Sequence, residues 1–163
     1  MLAKAAAAAA QAEVDLDLRL GDMRDLSLEE PAALVICPFR SLLHLPTWHD
    51  RRTVFEKVAA ALRPGGRFAW NSFVFDPLVA ARVEGHRDEP VPHSTAYVAF
   101  DNRIDIALDR GGAISLWWVA RSEWEGLIDV SGLEVEALYG WFDRRPFDEE
   151  SREFVWVARK REA

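Results

Sequence analysis

Cysteine is almost absent from this chain. Cys37 is the one thiol in 163 residues, so no intrachain disulfide can form and a cysteine-based zinc site has no second ligand. Long apolar runs are missing as well: no stretch reaches the roughly 18 consecutive apolar residues of a membrane-spanning helix. Positive charge is in deficit, with 20 Lys plus Arg against 27 Asp plus Glu, and the net charge of -7 repels a phosphate backbone. These deficits point to a chain suited to a reducing cytoplasm, with neither nucleic acid nor membrane as partner. There is no internal repeat and no linker. The remainder is ordinary for one globular domain, at 50% hydrophobic and 29% charged residues. Seven Trp in a chain of this size are unusual.

The first twelve residues, MLAKAAAAAAQA, offer small-residue cleavage sites but only Lys4 as a positive region, so an alanine-rich helix is the better reading than a signal peptide. No Ser, Thr, Asp or Asn precedes that helix to cap it, as though the chain starts in mid-motif. Val14, Leu16, Leu18 and Leu20 then alternate with Asp15, Asp17 and Arg19, which predicts a strand with one buried face. Ala32 to Cys37 is continuously apolar between Pro31 and Pro38, which predicts a central parallel strand covered on both faces.

From Thr47 the period changes. Val54, Phe55, Val58, Ala59 and Leu62 recur at helical spacing behind an approximate Thr47/Asp50 capping box, and Pro64-Gly65-Gly66 ends the helix. Arg67 to Phe75 reads as the next strand. Asp76-Pro77 opens a short helix, and Pro90 and Pro92 impose a loop. Ile104, Ile106 and Leu108 face Ile114, Leu116 and Trp118 across Asp109-Arg110-Gly111-Gly112, a hairpin. Ser122 with Glu125 predicts a second capping box for a helix that Gly132 closes, and Leu133 to Tyr139 and Glu153 to Arg159 supply two last strands. Strands alternating with helices mean a parallel α/β sheet.

Four segments carry a resemblance that covers nearly the whole chain: LRLGDMRDL (18–26), LVICPFRSLLHL (34–45), the helix ending in ALRPGGRFAW (61–70), and GLEVEALYGWFD followed by EFVWVARK. Together they are similar to the class I S-adenosylmethionine-dependent methyltransferases, and the Leu-Arg-Pro-Gly-Gly-Arg turn is the most specific of them. The resemblance implies a partial Rossmann-like α/β sheet, mostly parallel with an antiparallel last strand. It implies S-adenosyl-L-methionine as cofactor and a small-molecule methyl acceptor. By family position, Asp22 accepts from the adenine amino group and Met23 packs on the ring, although Asp22 equally suits a turn cap after Gly21. Cys37, Phe39 and Arg40 match the segment lining the methionine side, although Phe39 also suits a core and Arg40 a surface. Pro64, Gly65 and Gly66 belong to the sharp helix-to-strand reversal.

The family's glycine-rich first turn, which lets backbone approach the cofactor, is not in this sequence, nor is the acid that follows the second strand. The resemblance therefore implies a single, incomplete domain over residues 1–163, shortened at its N-terminus and with impaired activity. The absent strands would lie between Val14–Leu20 and Leu34–Cys37. Either those two segments pair directly, a second chain fills the gap as a homodimer, or the chain stays partly unfolded. The alternative function is a non-catalytic α/β scaffold acting as a binding or dimerisation module. A nicotinamide-dependent dehydrogenase would need the same glycine turn.

Methyl transfer demands alignment of the acceptor, and a base only where the acceptor carries a proton at pH 7. His44 and His49 are the nearest base candidates, and their separation of five fits no helical metal face. Residues 97–120 read as an inserted hairpin lid. There Tyr97, Trp117 and Trp118, with Trp141, can wall an acceptor site or hold a cationic amine. His44, Tyr97, Trp117 and Trp141 are accordingly the expected substrate contacts, and alternation lets only one of Trp117 and Trp118 be buried.

Overall fold

The computed structural model describes residues 2–162. Its elements in chain order are α1 (Leu2–Gln11), β1 (Ala32–Cys37), α2 (Trp48–Ala61), β2 (Leu62–Phe73), α3 (Pro77–Val83), β3 (Gly85–Arg87), β4 (His93–Val98), β5 (Arg103–Leu108), β6 (Ala113–Trp117), α4 (Arg121–Val130), β7 (Leu133–Tyr139) and β8 (Glu153–Lys160). They build two sheets, ordered β1-β2-β8-β7 and β3-β4-β5-β6.

The first sheet is mixed. β1 pairs parallel with β2, but β8 runs antiparallel to both β2 and β7, which corrects the expectation of a mostly parallel sheet. The physical reason is the connection between β7 and β8. It returns the chain antiparallel and lays β8 against β2, so one parallel pairing stands beside two antiparallel ones. The predicted strand at Val14–Leu20 is also corrected, since that segment joins no ladder and leaves Leu20 90% exposed. Its alternation supplies a one-sided face, but a strand also needs a neighbour to satisfy its backbone groups. β1 in turn is an edge and not a strand covered on both faces, with Leu34 56% and Ile36 64% exposed.

Two helices cover one face of this sheet. α2 opens as read, with Thr47 accepting from the Asp50 amide, and its Phe55 and Val58 meet Phe68 and Trp70 from β2. Gly65 has a φ of +70, and a Cβ on Gly66 would stand 2.8 Å from the Arg63 carbonyl oxygen. The helix itself closes at Ala61, so Pro64, Gly65 and Gly66, expected to end it, stand instead inside β2 where its register against β1 shifts. The backbone positions of Gly65 and Gly66 favour glycine. α4 differs from its reading: its N-cap is Ala120 with no side-chain cap, and Ser122 falls inside the first turn. Arg121 pairs with Glu125 one turn on, at 2.8 Å, and Gly132 with φ +74 closes the helix.

Packing accounts for four of the seven tryptophans, Trp70, Trp118, Trp124 and Trp156. Trp70, Trp124 and Trp156 are at most 2% exposed. Trp70 sits 4.7 Å from Phe68, 5.1 Å from Phe55 and 5.9 Å from Trp156 between ring centroids. Each such ring removes about 150–250 Å² from water, worth roughly 4–6 kcal/mol before conformational entropy is subtracted.

The inserted hairpin is part of something larger. β5 and β6 pair as read, but β4 and β3 extend them into a four-stranded antiparallel sheet. The segment HSTAYV holds too few apolar residues to announce β4, and pairing with β5 supplies what its own pattern lacks. Phe75, Tyr97 and Trp118 stack at centroid distances of 4.2–5.2 Å and fasten this sheet to the end of β2. No described helix is long and apolar enough to cross a membrane.

Candidate functional site

The carboxyl ends of the parallel pair β1–β2 are where ligands sit in doubly wound sheets. After β1 the chain turns through Pro38, Phe39 and Arg40, and the last two hold left-handed φ values of 63 and 59. Two successive non-glycine residues in that region cost roughly 1–3 kcal/mol each unless the surroundings hold them. Glu153, at the start of β8 and 1% exposed, does so. It accepts from Arg40 Nε at 3.1 Å and Nη2 at 2.7 Å, and from Asn71 Nδ2 at 2.6 Å. The Arg40 amide donates to Asn71 Oδ1 at 3.4 Å, and the guanidinium lies 5.5 Å from the Phe73 ring centre. One buried carboxylate on β8 thus ties together the strained turn after β1, with its guanidinium, and an amide of β2.

Two cavities meet at Arg40. The strand-end cavity, of about 420 Å³, is walled by Pro38, Phe39, Trp141 and Phe142 over a polar base of Arg40, Asn71 and Glu153. The lid cavity, of about 510 Å³, lies between α3 and the second sheet; Phe73, Phe75, Val83, Ile104, Ile106 and Leu116 form much of its wall, and Arg40, Asp76, His93, Thr95 and Arg152 are its polar groups.

Of the expected cofactor residues, Phe39 and Arg40 come together at the first cavity. Cys37 sits half-buried behind them against the core, and burial pushes its thiol up to about 11 despite hydrogen bonds from Ser41 and Leu42. Its alkylation by iodoacetamide near neutral pH is expected to be about a hundredfold slower than that of a free thiol, because two pKa units remove that much thiolate. The neutral thiol is the favoured form in the folded chain. Its contribution to stability is present below the ordinary thiol value and is lost as pH rises towards 11. Rapid alkylation of the folded chain at pH 7.5 would contradict this placement.

Asp22 and Met23 lie elsewhere. Asp22 caps the short turn Met23–Asp25, and its carboxylate takes the Arg24 side chain at 2.8 Å and the Arg24 amide at 2.9 Å, which holds it down at about 2. Arg24 reaches on to Asp50 at the start of α2 at 2.9 Å, and Met23 packs beside the core. Neither Asp22 nor Met23 lines either cavity.

Of the expected substrate contacts, Trp141 lines the strand-end cavity, and Tyr97 backs Phe75 of the lid cavity through the aromatic stack. Trp118 is the buried member of its pair and Trp117 is only half-buried, as alternation requires. His44 is exposed at the end of the turn Ser41–His44 and lines neither cavity. Among the described residues no cluster of His, Cys, Asp or Glu suits a metal ion.

Asn71, Phe142, Arg152 and Glu153 escaped the sequence reading. Asn71 carried a usable signal, as a polar residue inside the apolar strand RFAWNSFVF. Glu153 carried none, because an acid opening a strand after Asp148-Glu149-Glu150 reads as more of the same solvated run.

Comparison with known proteins bears on this arrangement. The methyltransferase domain family model matches residues 1–66. Comparison with the curated proteins gives no sequence match. Among solved structures, an S-adenosylmethionine-dependent methyltransferase from Clostridium acetobutylicum is 13% identical with a TM-score of 0.80, over 98% of this chain and 71% of that one. The CcbJ methyltransferase from Streptomyces caelestis is 22% identical with a TM-score of 0.70, over 88% and 63%. The amino pentose methyltransferase CalS10 from Micromonospora echinaspora, solved with S-adenosylmethionine bound, is 20% identical with a TM-score of 0.58, over 86% and 63%. Likeness at these identities establishes the fold, and the chain spans 63–71% of the length of these three proteins.

Proposed function

We propose, from the premise that this chain belongs with the class I S-adenosylmethionine-dependent methyltransferases, that it receives the sulfonium end of the cofactor in the strand-end cavity and a small-molecule acceptor in the lid cavity. The observation that carries this reading is that one residue, Arg40, lines both cavities. Two ligands placed there would meet beside a single fixed residue.

When bound, the cofactor supplies an electrophilic methyl group on a positively charged sulfur. Phe39, Trp141 and Phe142 give that charge aromatic faces, and Glu153 at the base leaves the cavity without uncompensated positive charge beside it. The residues present therefore fit the sulfonium end. The adenine end falls to Asp22 and Met23 by family position, and no glycine-rich turn stands near them among the described residues.

The chain's own part in the reaction is alignment, since in-line displacement gains most from holding the nucleophile close. Glu153 spends both oxygens on Arg40 and Asn71, so its part is to fix geometry. Where the acceptor bears a proton, His93 is the histidine on the acceptor's wall. Its Nδ1 stands 2.6 Å from the Val91 carbonyl, so Nδ1 is the donor and Nε2 is left as acceptor.

Calorimetric titration of S-adenosylmethionine into the purified chain tests the reading. Saturable binding is expected, weakened by Asp22→Ala and by roughly three- to thirtyfold in Trp141→Ala, the range of one cation–aromatic contact. No heat from a folded chain would overturn it.

A second reading has one observation in its favour. The outer edge of β1 has no ladder partner among the described residues, and Leu34 and Ile36 stand exposed on it. An open apolar edge invites another strand, so a non-catalytic scaffold would pair here with a second copy of itself. A sedimentation mass that doubles with concentration, together with silence in the cofactor titration, would select that reading.

A further inference from the structure

The strand-end cavity and the lid cavity share one unused donor. Arg40 is held side-on, through Nε and Nη2, by the two oxygens of Glu153. That grip leaves Nη1 with no hydrogen-bond partner among the described residues, on a residue that lines both cavities. Ordinarily a free arginine must be ordered by its ligand at a cost of up to about 2 kcal/mol in rotamer entropy. Here Glu153, Asn71 and the face of Phe73 have already ordered it.

The lid cavity adds the rest of the chemistry. Its ionised wall groups include two guanidinium cations, Arg40 and Arg152, against one carboxylate, Asp76. Asp76 Oδ1 is committed to the Leu78 and Val79 amides at the start of α3, and its other oxygen is 3.9 Å from Arg152. Arg152 otherwise donates to the backbone carbonyls of Glu149, Glu150 and Ser151. Apart from these groups, His93 and Thr95, the wall is apolar: Phe73, Phe75, Val83, Ile104, Ile106 and Leu116 define most of it. Glu153 compensates Arg40 and Asp76 faces Arg152, so the wall carries no surplus charge. What it leaves unused is the Nη1 donor, and a ligand matching this surface has an apolar body and a carboxylate head, the strongest acceptor for a guanidinium N–H.

We infer that Arg40 is a specificity residue that binds the carboxylate of an apolar organic acid at the junction of the two cavities, with Glu153 and Asn71 as positioning residues that hold it there. The inference deepens the methyltransferase reading and rests on it for regarding the acid as the methyl acceptor. The carboxylate site itself stands on the cavity and its hydrogen bonds.

Three probes of equal shape test it: 3-phenylpropionate, 3-phenylpropanol and 3-phenylpropylamine, each titrated calorimetrically into the whole chain. The acid is expected to bind at least about tenfold more tightly than the other two, since a charge-assisted hydrogen bond is worth roughly 1.5–3 kcal/mol. Arg40→Gln is expected to bring the acid down to the level of the alcohol, and Arg40→Lys to restore part of the difference. Glu153→Gln is expected to weaken the acid about three- to tenfold while leaving the alcohol unchanged, a selective loss that a merely misfolded variant would not show. Equal affinity for all three probes, no binding of any, or an acid affinity indifferent to Arg40→Gln would overturn the assignment. Parallel titration with S-adenosylmethionine separates the two ideas. Acid binding without cofactor binding keeps the carboxylate site and removes the methyltransferase reading, whereas cofactor binding with no preference for the acid does the reverse.

Discussion

Trp156→Ala is expected to destabilise the chain by roughly 3–5 kcal/mol in urea unfolding, a large part of the 5–15 kcal/mol that holds a domain together. Trp156 is fully buried on β8, the strand between β2 and β7, where it stacks on Trp70 at 5.9 Å and Phe154 at 6.1 Å. Truncation would open a cavity in the middle of the sheet's covered face, beneath the two helices. Trp156→Phe should behave differently. The indole Nε1 of Trp156 has no hydrogen-bond partner among the described residues, and phenylalanine removes that unsatisfied donor along with part of the ring. The two effects oppose each other, so a net change within about 1 kcal/mol is expected. If Trp156→Phe proved as damaging as alanine, the indole nitrogen would have to be bonded, and the packing described above would be wrong at that point.

Arg40→Ala is the second large effect and connects stability to the site. It leaves Glu153, 1% exposed, with Asn71 as its remaining partner. Breaking a fully buried ion pair from one side costs about 3–5 kcal/mol. The Arg40 side chain is 45% exposed, so solvent reaches into this pair and roughly 2–3 kcal/mol is expected. Arg40→Ala combined with Glu153→Gln should recover much of that loss, because no charge is then left stranded. Full additivity of the two single changes in a double-mutant cycle would mean that the pair does not couple and that the turn after β1 is held by something else.

This turn also shows where the sequence was legible. Proline, phenylalanine and arginine after an apolar strand mark a strand end facing a ligand crevice, and both cavities do meet at Arg40. The reading could not reach the groups that make Arg40 useful. Asn71 and Glu153 lie 31 and 113 residues away along the chain, and no local pattern links them. Asp22 shows the opposite case. Its role as a turn cap was readable from Gly21-Asp22 alone and is what the structure displays, whereas a ligand contact there depends on elements outside its neighbourhood.

The helices α2 and α3 and the β5–β6 hairpin were determined by the sequence, because caps, periodicity and glycine turns act over a few residues and carry their own energetics. Pairing was decided only in three dimensions. Val14–Leu20 has the pattern of a strand but no neighbour to bond, HSTAYV has little pattern but an adjacent strand that completes it, and AALVIC reads as a central strand yet forms an edge. A strand's hydrogen bonds are made with residues far away in the chain. Its identity is therefore a property of the sheet, and so is the junction at Arg40, where three strand ends converge.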